Sequence, residues 1–285
     1  MKNQTENSSY AKVNGISISY IDEGPREGLV IIFIHGFPLN KSMWREQIDS
    51  LKGHFRAVAY DIRGHGESNA EATDFSIDQF ADDLMGLMDY LKLKRAIFCG
   101  LSMGGYIALT AMEKHPNRCE GLVLCNTQCT ADTEEAKEKR KKAALSIQQN
   151  GVDKYAEVNL KNLFTKESFS KRKNVVKRVR EMMTSTSKSS LLRSLQALAG
   201  RRETCGKLSE IDVPVLITTG RKDPITPPPK AELMHRKIKN SALYIFENSG
   251  HLSNLEYPYK FNDQLIRFLN TIKKKTGIPK VNVSL

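Results

Sequence analysis

Residues 29–34 read LVIIFI, and this run constrains the chain more than any other feature. Six apolar residues in a row cannot be a half-buried strand, whose faces alternate. Six is also far short of the roughly 20 residues that span a bilayer. Such a run fits a strand covered on both faces, as in a parallel sheet. Similar runs recur at 56–60 (RAVAY), 96–99 (AIFC), 122–124, 215–218 and 243–246. Helical patterns separate them. Residues 77–91 place apolar side chains at 77, 80, 81, 84, 85, 88 and 91, one face of a 3.6-residue period. A second helix is expected at 103–115, ended by Pro116, and a third at 260–272. At the N-terminus, 10–13 and 16–21 flank Asn14-Gly15, a hairpin signal. The alternation predicts an α/β fold with an open, mostly parallel sheet.

One segment breaks the pattern. Residues 131–202 hold no strand-like run and read as several short helices, an insertion between the sixth and seventh strands. The division expected is therefore a core of 1–130 and 203–285 with a helical insertion of 131–202. The insertion also accounts for the charge. The 285-residue chain has a net charge of +12, and 131–202 alone carry 18 Lys and Arg against 8 Asp and Glu, a net of +10. A solvated basic surface is the plain reading, and a rim that steers anionic substrates toward a cleft is the sharper one. Charge without a motif or interleaved aromatics does not make a nucleic-acid site. Hydrophobic residues at 40% and charged residues at 27% suit a soluble globular protein.

Residues 1–10 are polar and lack the apolar stretch of a signal peptide, so a cytoplasmic location is expected. Five cysteines are odd in number and too few for a disulfide scaffold. Cys99 and Cys125 lie in or at the end of apolar runs and read as small core residues. Cys125 and Cys129 have no matching Cys/His pair, so no metal is called for, and no phosphate or dinucleotide motif calls for a cofactor.

The chemistry centres on Gly100-Leu101-Ser102-Met103-Gly104, a G-x-S-x-G set between an apolar strand and a helix. That setting makes a nucleophile elbow, in which small residues let strand and helix pass while the serine is held above the sheet edge. A serine needs a base, and the base an orienting acid; with such an elbow the chain order is Ser, acid, His. His251, in the loop after the last strand, is the natural base, while His235 sits in a basic helical stretch. Asp223, in the turn after the 215–218 strand, is the favoured acid, with Asp132 as the alternative. The turn at His35-Gly36-Phe37-Pro38 can aim the Phe37 backbone N–H at a developing oxyanion, and the Met103 N–H would be the second donor. His35, Asp61 and His65 read as braces of neighbouring loops rather than catalysts.

HGFP, DIRGHGES, GLSMGGYIAL, GRKDPITPP and SGHLSNLEYP, in this order, resemble the α/β-hydrolase superfamily from about residue 10 to 270. GLSMGGYIAL and GHLSNLEYPYKFN look most like the 3-oxoadipate enol-lactonase and small carboxylesterase branch. The resemblance implies a serine hydrolase of carboxylic esters or lactones, with Ser102, Asp223 and His251 as the triad and 131–202 as a cap. Enol-lactonases of that branch carry a tryptophan in the cap, whereas the one tryptophan here is Trp44. Basic caps in esterases that resemble the pimeloyl-carrier-protein methyl ester esterases dock an acidic acyl carrier protein, which makes such a carrier a candidate partner. Some members of the superfamily act instead as ligand receptors or signalling proteins, and others run perhydrolysis or C–C bond hydrolysis.

Overall fold

The sheet begins at the Asn14-Gly15 turn. The computed structural model describes residues 8–70 and 75–276; residues 1–7 of the polar N-terminal segment and 277–285 at the end of the expected core lie outside the described residues. Strands β1 (Ser9–Val13) and β2 (Ile16–Glu23) pair antiparallel with Val13 opposite Ile16. Asn14 and Gly15 take φ of 45° and 82°, the positive pair that a two-residue hairpin needs and that Asn-Gly adopts with least strain.

Six further strands complete the sheet: β3 (Val30–Ile34), β4 (Arg56–Tyr60), β5 (Ala96–Leu101), β6 (Cys119–Cys125), β7 (Val215–Gly220) and β8 (Ser241–Phe246). Their order is β1-β2-β4-β3-β5-β6-β7-β8. β2 meets β4 antiparallel, and every pair beyond is parallel. Helices α1 (Arg45–Leu51), α2 (Ile77–Tyr90) and α3 (Met103–Lys114) precede β6. Between β6 and β7 come α4 (Glu134–Leu163), α5 (Ser168–Lys171), α6 (Lys173–Ser185) and α7 (Lys188–Ala199). α8 (Pro228–Lys237) follows β7, and α9 (Ser253–Glu256) and α10 (Pro258–Thr276) follow β8.

Two helical layers explain the unbroken apolar runs. In β3, Ile32 and Ile34 belong to the core layer that α2, α3 and α8 cover, while Ile31 and Phe33 belong to the layer that α1 and α10 cover. The same division separates Val58 from Ala57, Phe98 from Ile97, and Leu122 from Val123. Each such side chain leaves water entirely, which is worth about 1.5–3 kcal/mol for a Leu, Ile or Phe. Trp44 closes the short 3₁₀ turn Lys41–Trp44 and is fully buried, its ring 5.0 Å from Phe33.

The insertion is built of helices. Its first segment, α4, is two helices that meet at a kink at Gly151, whose φ of 80° and ψ of 173° lie outside the helical region and are open to a residue without a side chain. Among the described residues, no helix is long and apolar enough to cross a membrane.

The cysteines add a feature that their number did not announce. Cys129 and Cys205 form a disulfide, one just before the insertion and one just after it, and Thr204 N donates to Cys129 O at 2.9 Å beside the bond. Cys99, Cys119 and Cys125 are free and buried. The bond closes a loop across a sequence separation of 76. Cross-links of this kind stabilise by about 2–4 kcal/mol. Cys205→Ser is expected to lose that amount in urea unfolding, and reductant should lower the wild type toward the variant while leaving the variant unchanged.

Candidate active site

Ser102 sits where β5 turns directly into α3, and its backbone adopts φ 54°, ψ −112°. A non-glycine residue at positive φ costs about 1–3 kcal/mol and persists only where its surroundings enforce it. Here they do. A Cβ on Gly100 would overlap the Gly104 carbonyl, and one on Gly104 would overlap the Ile34 carbonyl. The Ser102 N–H donates to Cys125 O at 2.9 Å, and Thr127 Oγ1 donates to Ser102 O at 2.8 Å. Ser102 makes no side-chain cap to α3, so its hydroxyl is not spent on the helix beneath it.

The loop after β3 rides over this turn. A Cβ on Gly36 would stand 2.8 Å from Leu101 Cδ2 and 3.4 Å from Ser102 Cβ. That closeness brings Phe37 beside Ser102, and Phe37, Met103, Ser102 and His251 line one cavity of about 450 Å³. His35, directly below, is fully buried. Its Nε2 accepts from Ile62 N at 2.9 Å, and its Nδ1 lies 3.0 Å from Gly36 O. Burial first, and the nearby His65 second, hold it well below the ordinary histidine range. It is therefore neutral and joins two loops. Asp61 is a brace as well. Its carboxylate accepts from Lys41 N at 2.7 Å, Glu67 N at 2.9 Å and Lys41 Nζ at 2.8 Å. His65 is buried against the Arg63 carbonyl and Ser194. Neither Asp61 nor His65 lines the cavity.

The structure brings Asp223 and His251 together. His251 Nδ1 and Asp223 Oδ2 are 2.8 Å apart, with exposures of 2% and 3%. The same Oδ2 accepts from Asn126 Nδ2 at 2.9 Å and Thr226 Oγ1 at 2.7 Å, while Oδ1 accepts from Ile225 N at 2.8 Å and Thr226 N at 3.1 Å. Burial by itself would raise this carboxyl. The facing His251 and the bonds from Asn126 and Thr226 outweigh it and hold Asp223 well below the usual carboxylate range. An ionised acid on Nδ1 fixes the imidazole so that Nε2 is free to take a proton.

The other candidates go elsewhere. Asp132 does line the cavity, but it is held by Arg140 and by Arg201, the latter at 2.5 Å. Burial would raise it, and the two guanidinium groups outweigh burial to lower it. His235 lies on α8, bonded to Ser241 Oγ at 2.8 Å.

Asn126 went unread in the sequence. It follows β6 at φ 43°, donates through Nδ2 to Asp223 Oδ2 and to Gly250 O at 3.2 Å, and accepts from Ser253 Oγ at 2.7 Å. Its position just past a strand, like those of Asp223 and His251, was the available signal. Thr226 also went unread, although Asp223 followed three residues later by a threonine is a local side-chain-to-backbone turn pattern.

These contacts carry a pH signature. The folded Asp223 carboxyl lies below the unfolded value of about 3.9. A depressed acid stabilises fully above the unfolded value, and that stability is lost as pH falls toward the folded one. The stability gap between wild type and Asp223→Asn is expected to be full from about pH 5 upward and to narrow below about pH 4, as read from urea unfolding at each pH.

Known proteins resemble this chain. A family model for the alpha/beta hydrolase fold matches residues 30–258. The 3-oxoadipate enol-lactonase 2 of Acinetobacter baylyi is 29% identical over 247 residues, covering 87% of this chain and 91% of that protein. A thermophilic esterase from Thermogutta terrifontis, solved with malate bound, matches with a TM-score of 0.88 at 30% identity, over 93% of this chain and 98% of that one. The enol-lactonase of Burkholderia xenovorans LB400 gives 0.86 at 30% identity, over 92% and 99%. With the match running from β3 through the turn at Ser102 to the loop that carries His251, the chain belongs to the alpha/beta hydrolase fold family.

Proposed function

We propose that the protein is a serine hydrolase of carboxylic esters, open-chain or cyclic, and that residues 131–202 cap its site. The observation that carries this reading is a single cavity shared by the constrained Ser102 and by His251, whose far nitrogen is held by a buried, ionised acid. The names of the relatives, an esterase and enol-lactonases, agree with it.

In this reading Ser102 Oγ attacks the acyl carbon as His251 Nε2 takes its proton. The carbonyl electron pair moves onto oxygen, where the Phe37 and Met103 N–H groups receive it; such donors are worth on the order of 10²–10³ in rate each. The C–O bond to the leaving alcohol breaks as His251 returns the proton to it. Water, deprotonated by the same nitrogen, then attacks the acyl-enzyme, and the acid leaves as Ser102 regains its proton. Asp223 stays ionised and stabilises the imidazolium at each stage. For a lactone the leaving alcohol remains tethered to the acyl group. The cap supplies apolar walls through Leu163, Met183, Leu195 and Leu198, and polar ones through Asn159, Asn162 and Arg140.

The basic surface adds no carrier partner to this reading. Several of its cations are paired, as in Lys137–Glu134, Lys154–Glu157, Lys177–Glu181 and, across to the core, Arg178–Glu46, and the net of +10 is what remains after the acids of the segment are counted. The proposal keeps the enzyme in the cytoplasm, where burial of Cys129 and Cys205, at 2% and 5% exposure, shields their bond from thiol exchange.

A p-nitrophenyl ester panel tests the chemistry. Ser102→Ala should lose at least about 10³-fold in kcat with its circular dichroism and melting unchanged, and Asp223→Asn should lose on the order of 10⁴. Undiminished hydrolysis by a folded Ser102→Ala enzyme would refute the reading.

A further inference from the structure

Glu256 is the last residue of α9, 1% exposed, and no Lys or Arg pairs with it among the described residues. Its two oxygens face opposite ways in function. Oε1 accepts from Thr165 N at 2.9 Å, Thr165 Oγ1 at 2.8 Å and Ser168 Oγ at 2.6 Å, all in the segment that leaves α4. Oε2 accepts from Ser249 Oγ at 2.8 Å and Gly250 N at 2.5 Å, the two residues before His251. A buried carboxylate is costly unless its lone pairs are matched by donors, and here five donors match them.

Other contacts make this a joint rather than a local patch. Leu163, at the end of α4, accepts through its carbonyl from His251 N at 3.1 Å and Leu252 N at 3.2 Å. Its side chain lines the cavity with Ser102. On the loop side, Gly250 O accepts from Asn126 Nδ2, the group that also donates to Asp223. The segments are in close contact, since a Cβ on Gly250 would stand 3.2 Å from Thr165 N and 3.3 Å from Glu256 Oε2.

We propose that Glu256 is a positioning residue that locks the end of α4 to the loop carrying His251, so that the helix lining the cavity and the imidazole keep one fixed relation. The proposal rests on the reading of His251 as the base. Its chemistry is specific. Each oxygen accepts one backbone N–H, from Thr165 or from Gly250, and a backbone N–H can only donate. A glutamine in this place must turn its NH₂ toward one of the two, opposing donor to donor whichever way it lies.

The test uses Glu256→Gln together with Ser168→Ala, which removes a donor on the insertion side only and leaves the residues of the His251 loop in place. Three readouts are taken: steady-state hydrolysis of p-nitrophenyl butyrate across pH, the rate at which a fluorophosphonate labels Ser102, and the low-field proton resonance of the His251–Asp223 hydrogen bond. Glu256→Gln is expected to lower kcat and the labelling rate about tenfold with KM within twofold. Ser168→Ala should lower them about threefold, with the acid limb of kcat/KM and the low-field resonance displaced in the same sense in both variants. Ser168→Ala combined with Ser249→Ala should lose less than the product of the single losses, because both act through one carboxylate. A Ser168→Ala enzyme with wild-type kcat, acid limb and resonance overturns the proposal, even if Glu256→Gln melts early. A wild type that is neither labelled nor active instead overturns the hydrolase reading, and the resonance in Ser168→Ala then decides the Glu256 coupling without reference to turnover.

Discussion

The tightness of the turn from β5 into α3 governs the rest of the molecule. With no room for a side chain at Gly100 or Gly104, strand and helix cross at backbone contact, and the Gly104 segment reaches the carbonyl of Ile34 in the next strand. Three elements are thereby fixed at one point, and Ser102 takes a backbone conformation it would not choose alone. The loop of Gly36 and Phe37 passes over the same turn so closely that a Cβ on Gly36 would press on Leu101.

Around this point the protein buries charge with unusual completeness. Asp61 with Lys41, Arg63 with Asp83, Asp132 with Arg201, and Asp223 with His251 are all nearly inaccessible to water. Buried ions of this kind contribute little net stability, because desolvation offsets attraction, but breaking one partner is severe. Their effect here is geometric. Asp61 sets the loop after β4 against the turn that follows Phe37, and Arg63, bonded to Asp83 at 2.7 and 2.8 Å, fixes that loop to α2. The loops at the carboxyl edge of the sheet are thus braced before any ligand arrives.

How much of this could be read from the chain alone depends on the range of each interaction. The apolar runs exposed the sheet because two-sided burial leaves no alternation. Asp223 and His251 stood out because each follows directly on a strand, and Ser102 because of its glycines. Asn126 also follows a strand, but nothing local marks what it or Glu256 bonds to. Their bonds to Asp223 and Thr165 span 97 and 91 residues, and contacts at that separation impose no local pattern on either partner. The pairing of Cys129 with Cys205 was hidden for the same reason, since five cysteines allow many pairings.

The disulfide has a structural meaning beyond cohesion. It holds the Cα atoms at the two ends of the insertion 4.8 Å apart, about the spacing of neighbouring strands. From the standpoint of β6 and β7, the seventy-odd residues between them leave and return at nearly one point. The insertion is tied a second time, through Leu163 and Thr165, to the loop that carries His251 and to Glu256. It is therefore held at its root and again farther along, and a change in its helices is felt at that loop.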